Sequence, residues 1–499
     1  MVSLQPKLSI SKFRTIFWPI QTRELGKFLP MCALMFSILF NQNVLRILKD
    51  SILISEISAE IVSFTKVYCV TPTAVLFVIL YAKMINHFSF ARIYYYLISA
   101  FSLFFAIFAF VIYPNVHIFH INPDVLERMM QEYPHFKWYI ALVGHWGYVL
   151  FYTLSELWPN IFYLLLFWQF ANELTTTEEA KRFYTLFSLF GNSSLIFVGF
   201  MMMNLSSEQT IAKYFFNNPY DKTLLVQISI VLVVVSAIVS CFLVRFITKN
   251  VFTNPAFYAK AKSARSTQDR MGLIESFKYI AKSEYLWLML ICSAAFGLSI
   301  NLVEAVWKAK IKELYPTVNT YAEFSSLYIL WTGVAIMAMT IIGNNIMRSY
   351  GWFVAAVISP IIIMITGILF FILVVFDHQV FSWFDSAILM TPLALAVSIG
   401  AVQNILAKGT KYSIWDTSRE MLYIPLDKEL KTKGKAAVDV ISSKVGKSSS
   451  GLIQSIIFTL MPAATFSSIS PLLMVVFTIV CILWIYSVRK IYFEYKKIV

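Results

Sequence analysis

FSILFNQNVLRILKD (residues 36–50) and FGLSINLVEAVWKAK (residues 296–310) are two copies of one segment. Both begin in an apolar run and end in charge. Phe36 aligns with Phe296 and Asn41 with Asn301. A second pair has nearly the same offset. EEAKRFYTLFSLFGNSS (178–194) faces KGKAAVDVISSKVGKSS (433–449), which sets Gly191-Asn192-Ser193-Ser194 opposite Gly446-Lys447-Ser448-Ser449. The chain is therefore two repeats in parallel order, with the basic segment 245–282 between them.

The repeated runs are too long and too apolar for a water-soluble core. Of 499 residues, 59% are hydrophobic and 14% charged, and mean hydropathy is +0.70. Soluble domains carry about a quarter charged residues. A bilayer crossing needs roughly 20 mostly apolar residues. Twelve stretches qualify: 28–48, 61–83, 92–113, 139–172, 183–204, 223–247, 285–306, 324–346, 352–376, 385–408, 436–462 and 469–488. The fourth would run to roughly 50 Å as one straight helix. Pro159 is expected to bend it, and its last part to leave the membrane. An all-α integral membrane protein follows, with twelve transmembrane helices in two six-helix halves. That is the layout of major-facilitator-type transporters, which bind substrate near the midplane between the halves. The expected divisions are an N-terminal segment 1–27, a bundle 28–247, a linker 248–284, a bundle 285–488 and a tail 489–499.

Charge sets the orientation. Segment 245–282 holds eight basic residues and two acidic, and segment 408–435 seven and four. Cytoplasmic loops collect Lys and Arg, so both termini are expected in the cytoplasm. The formal net charge of +14 is then topogenic, and no nucleic-acid partner is expected. One outside stretch breaks the pattern, with Lys308, Lys310 and Lys312 after the seventh span. The basic N-terminus followed by a long apolar run does not read as a cleavable signal. HExxH, GxSxG and a GxGxxG after a strand are absent. Neither an enzyme nor a metal or other cofactor is expected.

Ionisable groups inside spans cost about 2.5–3.5 kcal/mol each on insertion scales, so they are candidates for function. Arg46, Lys49 and Asp50 end the first span, where Arg46 and Asp50 are spaced to pair (i,i+4). Lys49 and Lys66 either snorkel to the surface or face a cavity. Glu156 lies deep in the fourth span and must find a cation, a proton or a donor. Glu304 either pairs with Lys308 (i,i+4) or serves the substrate. Lys444 and Lys447 share one side of a serine-rich helix, and ammonium and hydroxyl groups suit phosphate oxygens. Lys408 and Lys411 close the tenth span, and Lys411 stands opposite Glu156 on the repeat offset. Several cations with few midplane acids favour an anionic substrate.

At these residues the chain resembles the nucleotide transporters of intracellular bacteria and plastids, also called ATP/ADP translocases. The matching stretches are KFLPMCALMFSILF, VLRILKD, SELWPNIFYLLLFWQFANELTTTEEAKRFY, INLVEAVWKAKIKELYP, LAKGTKYSIWD, REMLYIPLD and KTKGKAAVDVISSKVGKSSSGLIQS. They span nearly the whole chain and look closest to rickettsial members. The resemblance implies an ATP:ADP antiporter of the bacterial inner membrane, working as a monomer among lipids. Its partners would be ATP, ADP, other nucleoside tri- and diphosphates, and phosphate. The family's functional charges fall on Lys49, Glu156, Glu304 and Lys447. Lys49 and Lys447 would take the phosphates from opposite halves, with Arg46, Lys66 and Lys411 as weaker candidates. Glu156 and Glu304 would hold the lysines when the site is empty. Pro159 departs from the glycine that founding members place after ELW. The alternatives are a paralogue importing CTP, UTP or GTP/GDP, and a proton-coupled symporter with Glu156 as proton carrier.

Overall fold

The computed structural model describes residues 20–207, 222–251, 283–376, 390–423 and 435–498. Most of the expected N-terminal segment and most of the linker lie outside the described residues. Twelve long helices make up the described chain: α1 (Leu25–Glu56), α2 (Ile61–His87), α3 (Phe90–Phe119), α4 (Trp146–Leu174), α5 (Thr177–Ser206), α6 (Lys222–Val251), α7 (Glu284–Leu314), α8 (Val318–Met347), α9 (Ser349–Val375), α10 (Pro392–Met421), α11 (Lys435–Leu460) and α12 (Phe466–Ile498). Eleven of them are long and apolar enough to cross a membrane. The exception is α11, whose described apolar part is Ser449–Leu460 and whose first turns carry the lysines and serines of VISSKVGKSS.

Local sequence starts and stops these helices. Thr176 and Glu179 form a reciprocal capping box at α5. Ser283, Thr317 and Thr391 cap α7, α8 and α10 with side-chain oxygens. The α8–α9 turn has no loop. The kink falls at Gly351, in the first turn of α9, at φ 78°, a left-handed conformation that glycine adopts without a Cβ clash.

The over-long fourth stretch is divided differently from the expectation. It breaks at His145 (φ −111°, ψ 37°), leaving a short helix Lys137–Gly144 before α4. Pro159 itself stays helical (φ −62°, ψ −34°) and opens a π-helical stretch, Pro159–Phe167. The wider turn absorbs the hydrogen bond that proline cannot donate. A shorter π-helical stretch, Lys411–Trp415, occupies the matching place in α10.

The helices form two six-helix halves, α1–α6 and α7–α12. α1 packs against α4, α5 and α6, and α7 against α10, α11 and α12. The halves meet where α2 lies on α11 and α5 on α8. The outer surface is apolar, with Leu76, Ile79, Phe200, Phe242, Ile365, Leu472 and Ile479 exposed, as hydrocarbon contact requires. At the α5–α8 seam a Cβ on Gly199 would come within 2.7 Å of the Leu330 backbone nitrogen. Gly199→Val is therefore expected to wedge the halves apart and lower the melting temperature of the detergent-solubilised protein by several degrees. An overpacked contact costs about 1–3 kcal/mol. An unchanged melting curve would show that the seam is loose.

Among the described residues, most hydrogen bonds between the halves gather at the end of the bundle opposite the starts of α1 and α7. There Lys312 Nζ donates to the Ile57 carbonyl at 2.7 Å, and the Phe466 amide donates to Glu60 at 3.2 Å. His135 lies 2.8 Å from the Thr459 carbonyl, and Lys137 donates to the Pro462 carbonyl. One turn deeper, Ser63 on α2 donates to Gln454 on α11 at 2.5 Å.

Candidate functional site

Three helices carry the paired charges at the space between the halves. Helical spacing puts Gln42, Arg46 and Lys49 on one face of α1, Tyr152, Glu156 and Asn160 on one face of α4, and Asn301, Glu304 and Lys308 on one face of α7. On each helix the amide lies one or two turns nearer the end where α1 and α7 start.

The charges form a ladder of alternating sign. Glu156 Oε1 lies 2.7 Å from Lys49 Nζ, which also lies 2.9 Å from Asp50 Oδ1. Asp50 Oδ2 lies 2.9 Å from Lys308 Nζ, and Lys308 is 3.3 Å from Glu304. Lys49 also sits 4.2 Å from the Tyr152 ring centroid, a cation–π contact. The Asp50–Lys308 rung crosses from one half to the other. Lys49 and Lys308 are buried, whereas Glu156 is 30% exposed. Burial in low dielectric makes each rung strong but leaves any unmatched charge costly.

The cations outnumber the carboxylates. Arg46, Lys66 and Lys408 stand around the ladder, and Glu304 feels the fields of all three together with Lys308. Among the described residues, Arg46, Lys66 and Lys408 make no ion pair. Lys66 lines a recess with Ser63, Asn301, Glu304 and Gln454, between α2, α7 and α11. Arg46 lines a second recess with Asp50, Glu304, Lys308, Tyr321 and Tyr328, between α1, α7 and α8. Such a site has the chemistry to hold an anion. It offers fixed positive groups, hydroxyls and amides, with carboxylates that an incoming polyanion can displace.

The structure brings together Lys49, Glu156, Glu304, Arg46 and Lys66, and revises several details. Asp50 pairs with Lys49 and Lys308 rather than Arg46, because Lys308 approaches it from the opposite half. Lys308 is not an outside-loop cation but a buried rung. Lys411 lies apart from the ladder, about one-third exposed and 3.9 Å from Asp416. The Lys447 side chain lies outside the described residues. Its backbone is in α11, where Gly446 approaches Gly297 of α7 closely. Sequence reasoning underrated Lys308 and Lys408. The signal for Lys308 was present in its i,i+4 spacing from Glu304. Lys408 gave none, because a lysine near a span end reads as snorkelling.

The TLC ATP/ADP transporter family model matches residues 4–495. ADP,ATP carrier protein 5 of Rickettsia bellii is 77% identical over 98% of both chains, and that of Rickettsia prowazekii is 74% identical over the full length of both. ADP,ATP carrier protein 3 of Rickettsia typhi is 41% identical over 99% of both. Among solved structures, a bacterial homologue of the iron transporter ferroportin in an inward-facing state superposes with TM-score 0.60 and 11% identity, covering 93% of this chain and 100% of that one. The nucleoside transporter NupG superposes with TM-score 0.52 and 11% identity, covering 94% and 99%. Those two likenesses establish the two-bundle transporter fold alone, whereas the full-length model match and the high identities establish descent: this chain belongs to the TLC ATP/ADP transporter family.

Proposed function

We propose that the chain is a nucleotide antiporter that takes up ATP in exchange for ADP by alternating access. The observation that carries this reading is the buried charge ladder across the two halves, ringed by cations that lack carboxylate partners among the described residues. A site with surplus fixed positive charge in a low-dielectric cavity favours a polyanion. Polyphosphate oxygens would compete with Glu156, Asp50 and Glu304 for Lys49 and Lys308, and would engage Arg46 and Lys66. Lys447 supplies a further cation from α11, and Lys411 attracts the substrate nearer the mouth. The cation-rich segments 245–282 and 408–435 support cytoplasmic termini in a bacterial inner membrane. The closed end then faces outward. One chain carries every rung, which supports a monomeric transport unit.

Obligatory exchange follows from the same geometry. In the empty carrier the rungs satisfy one another, and pulling Asp50 from Lys308 leaves both charges buried and unpaired. Breaking such a pair costs about 3–5 kcal/mol, so the empty carrier reorients slowly. Bound nucleotide supplies replacement oxygens and lowers that barrier. In proteoliposomes, labelled ATP should accumulate only when the lumen is preloaded with ADP or ATP. Uptake driven by an imposed pH gradient into vesicles free of nucleotide would instead identify a proton symporter.

A further inference from the structure

Lys408 of α10 is 9% exposed, and its hydrogen-bond partner is a neutral phenol. Its Nζ donates to the Tyr328 hydroxyl and lies 4.9 Å from that ring's centroid. Arg46 and Lys308 repel it, while Glu304 and the Tyr412 hydroxyl attract it. Glu304 is committed to Lys308 at 3.3 Å. Arg46 lines the recess that Tyr328 and Ser325 share. Tyr328 thus links two like charges, bonding Lys408 and lining the recess with Arg46, and among the described residues neither cation has a carboxylate within ion-pair distance. That arrangement is costly when empty and is relieved by an oxyanion.

The pair is also braced. Tyr328 packs edge-on against Trp307, with ring centroids 4.8 Å apart at 65°. The Trp307 indole N–H donates to the Val397 carbonyl at 2.8 Å. Gly400 leaves no room between α10 and the indole, since a Cβ there would collide with the ring. A wall of α7, α8 and α10 therefore fixes where the ammonium points.

We infer that Arg46 and Lys408, oriented by Tyr328, form the subsite that receives the terminal phosphoryl group of the nucleotide. The inference rests on the exchanger reading. It makes the C-terminal half, through α8 and α10, the part that senses phosphate-chain length. A triphosphate reaches from the Lys49 rung into this recess, and a shorter chain fills it less completely.

The test uses the full-length protein in proteoliposomes, with initial exchange rates for ATP and ADP and inhibition by AMP. Lys408→Gln should raise KM for ATP about ten- to a hundredfold, the worth of one charge-assisted hydrogen bond. KM for ADP should change less and AMP inhibition least, so the ATP-to-ADP KM ratio shifts. Lys408→Arg should restore most of the ratio, and Tyr328→Phe should shift it in the same direction by a smaller factor. A wild-type KM ratio in Lys408→Gln overturns the subsite, as does equal weakening of ATP, ADP and AMP, which marks general cavity charge. If Lys408→Gln fails to insert, Arg46→Gln is read by the same ratios with the same criteria. Wild-type protein that exchanges no nucleotide would overturn the exchanger reading itself. Exchange with an unmoved ratio overturns only this subsite.

Discussion

Lys49→Ala should lower ATP/ADP exchange by about a hundredfold or more. Its ammonium holds Glu156 at 2.7 Å and Asp50 at 2.9 Å, so its loss strands negative charge inside the bundle. Removing one partner of a buried pair costs about 3–5 kcal/mol, and about 1.4 kcal/mol is a factor of ten. Part of that cost falls on stability and part on transport, and a second variant separates them. Lys49→Ala with Glu156→Gln removes the stranded carboxylate, so the melting temperature should return toward wild type. Exchange should stay low, because the phosphates have lost a cation as well. Recovery of exchange in the double variant would mean that the pair only holds α1 to α4.

Asp50→Asn should loosen the closed end without emptying the site. The Lys49–Glu156 rung survives, while Lys308 loses its partner across the halves. A charge-assisted contact worth about 2 kcal/mol moves a two-state equilibrium by about thirtyfold. Spin labels at positions 58 and 467, in a cysteine-free background, would report the change. Ser58 bonds to Glu60, which accepts from the Phe466 amide next to Ser467, so the labels face each other across the closed end. A longer label–label distance in Asp50→Asn is expected, together with nucleotide leak from vesicles that hold no counter-substrate. An unchanged distance would place the lock in the loop contacts of Lys312 and Glu60 instead.

The architecture was legible because its signals are long. Apolar runs of bilayer length, the Phe36/Phe296 repeat and the cationic segments all act over tens of residues. Glu156 and Glu304 were legible for a related reason, since a carboxylate in a span stands out by cost. Partnership was not legible. Asp50 has Arg46 at i−4 in sequence, yet it bonds a lysine 258 positions away, and only the docking of α1 against the opposite half decides between them. Lys408 was hidden in the same way, because its partner Tyr328 sits on another helix. The division of the fourth stretch turned on His145 rather than Pro159, since a π-helical turn can accommodate a proline that an α-helical turn would reject.

The most direct measurement follows the labels at positions 58 and 467 in the cysteine-free protein with Asp50 and the rest of the ladder intact, reconstituted in bilayers and titrated with nucleotide. If phosphates replace carboxylates on the ladder, ATP and ADP should each raise the population of the longer distance, and adenosine should not. A distance distribution that stays fixed at saturating ATP, in vesicles that still exchange ATP for ADP, would contradict a gate held by Asp50 and Lys308.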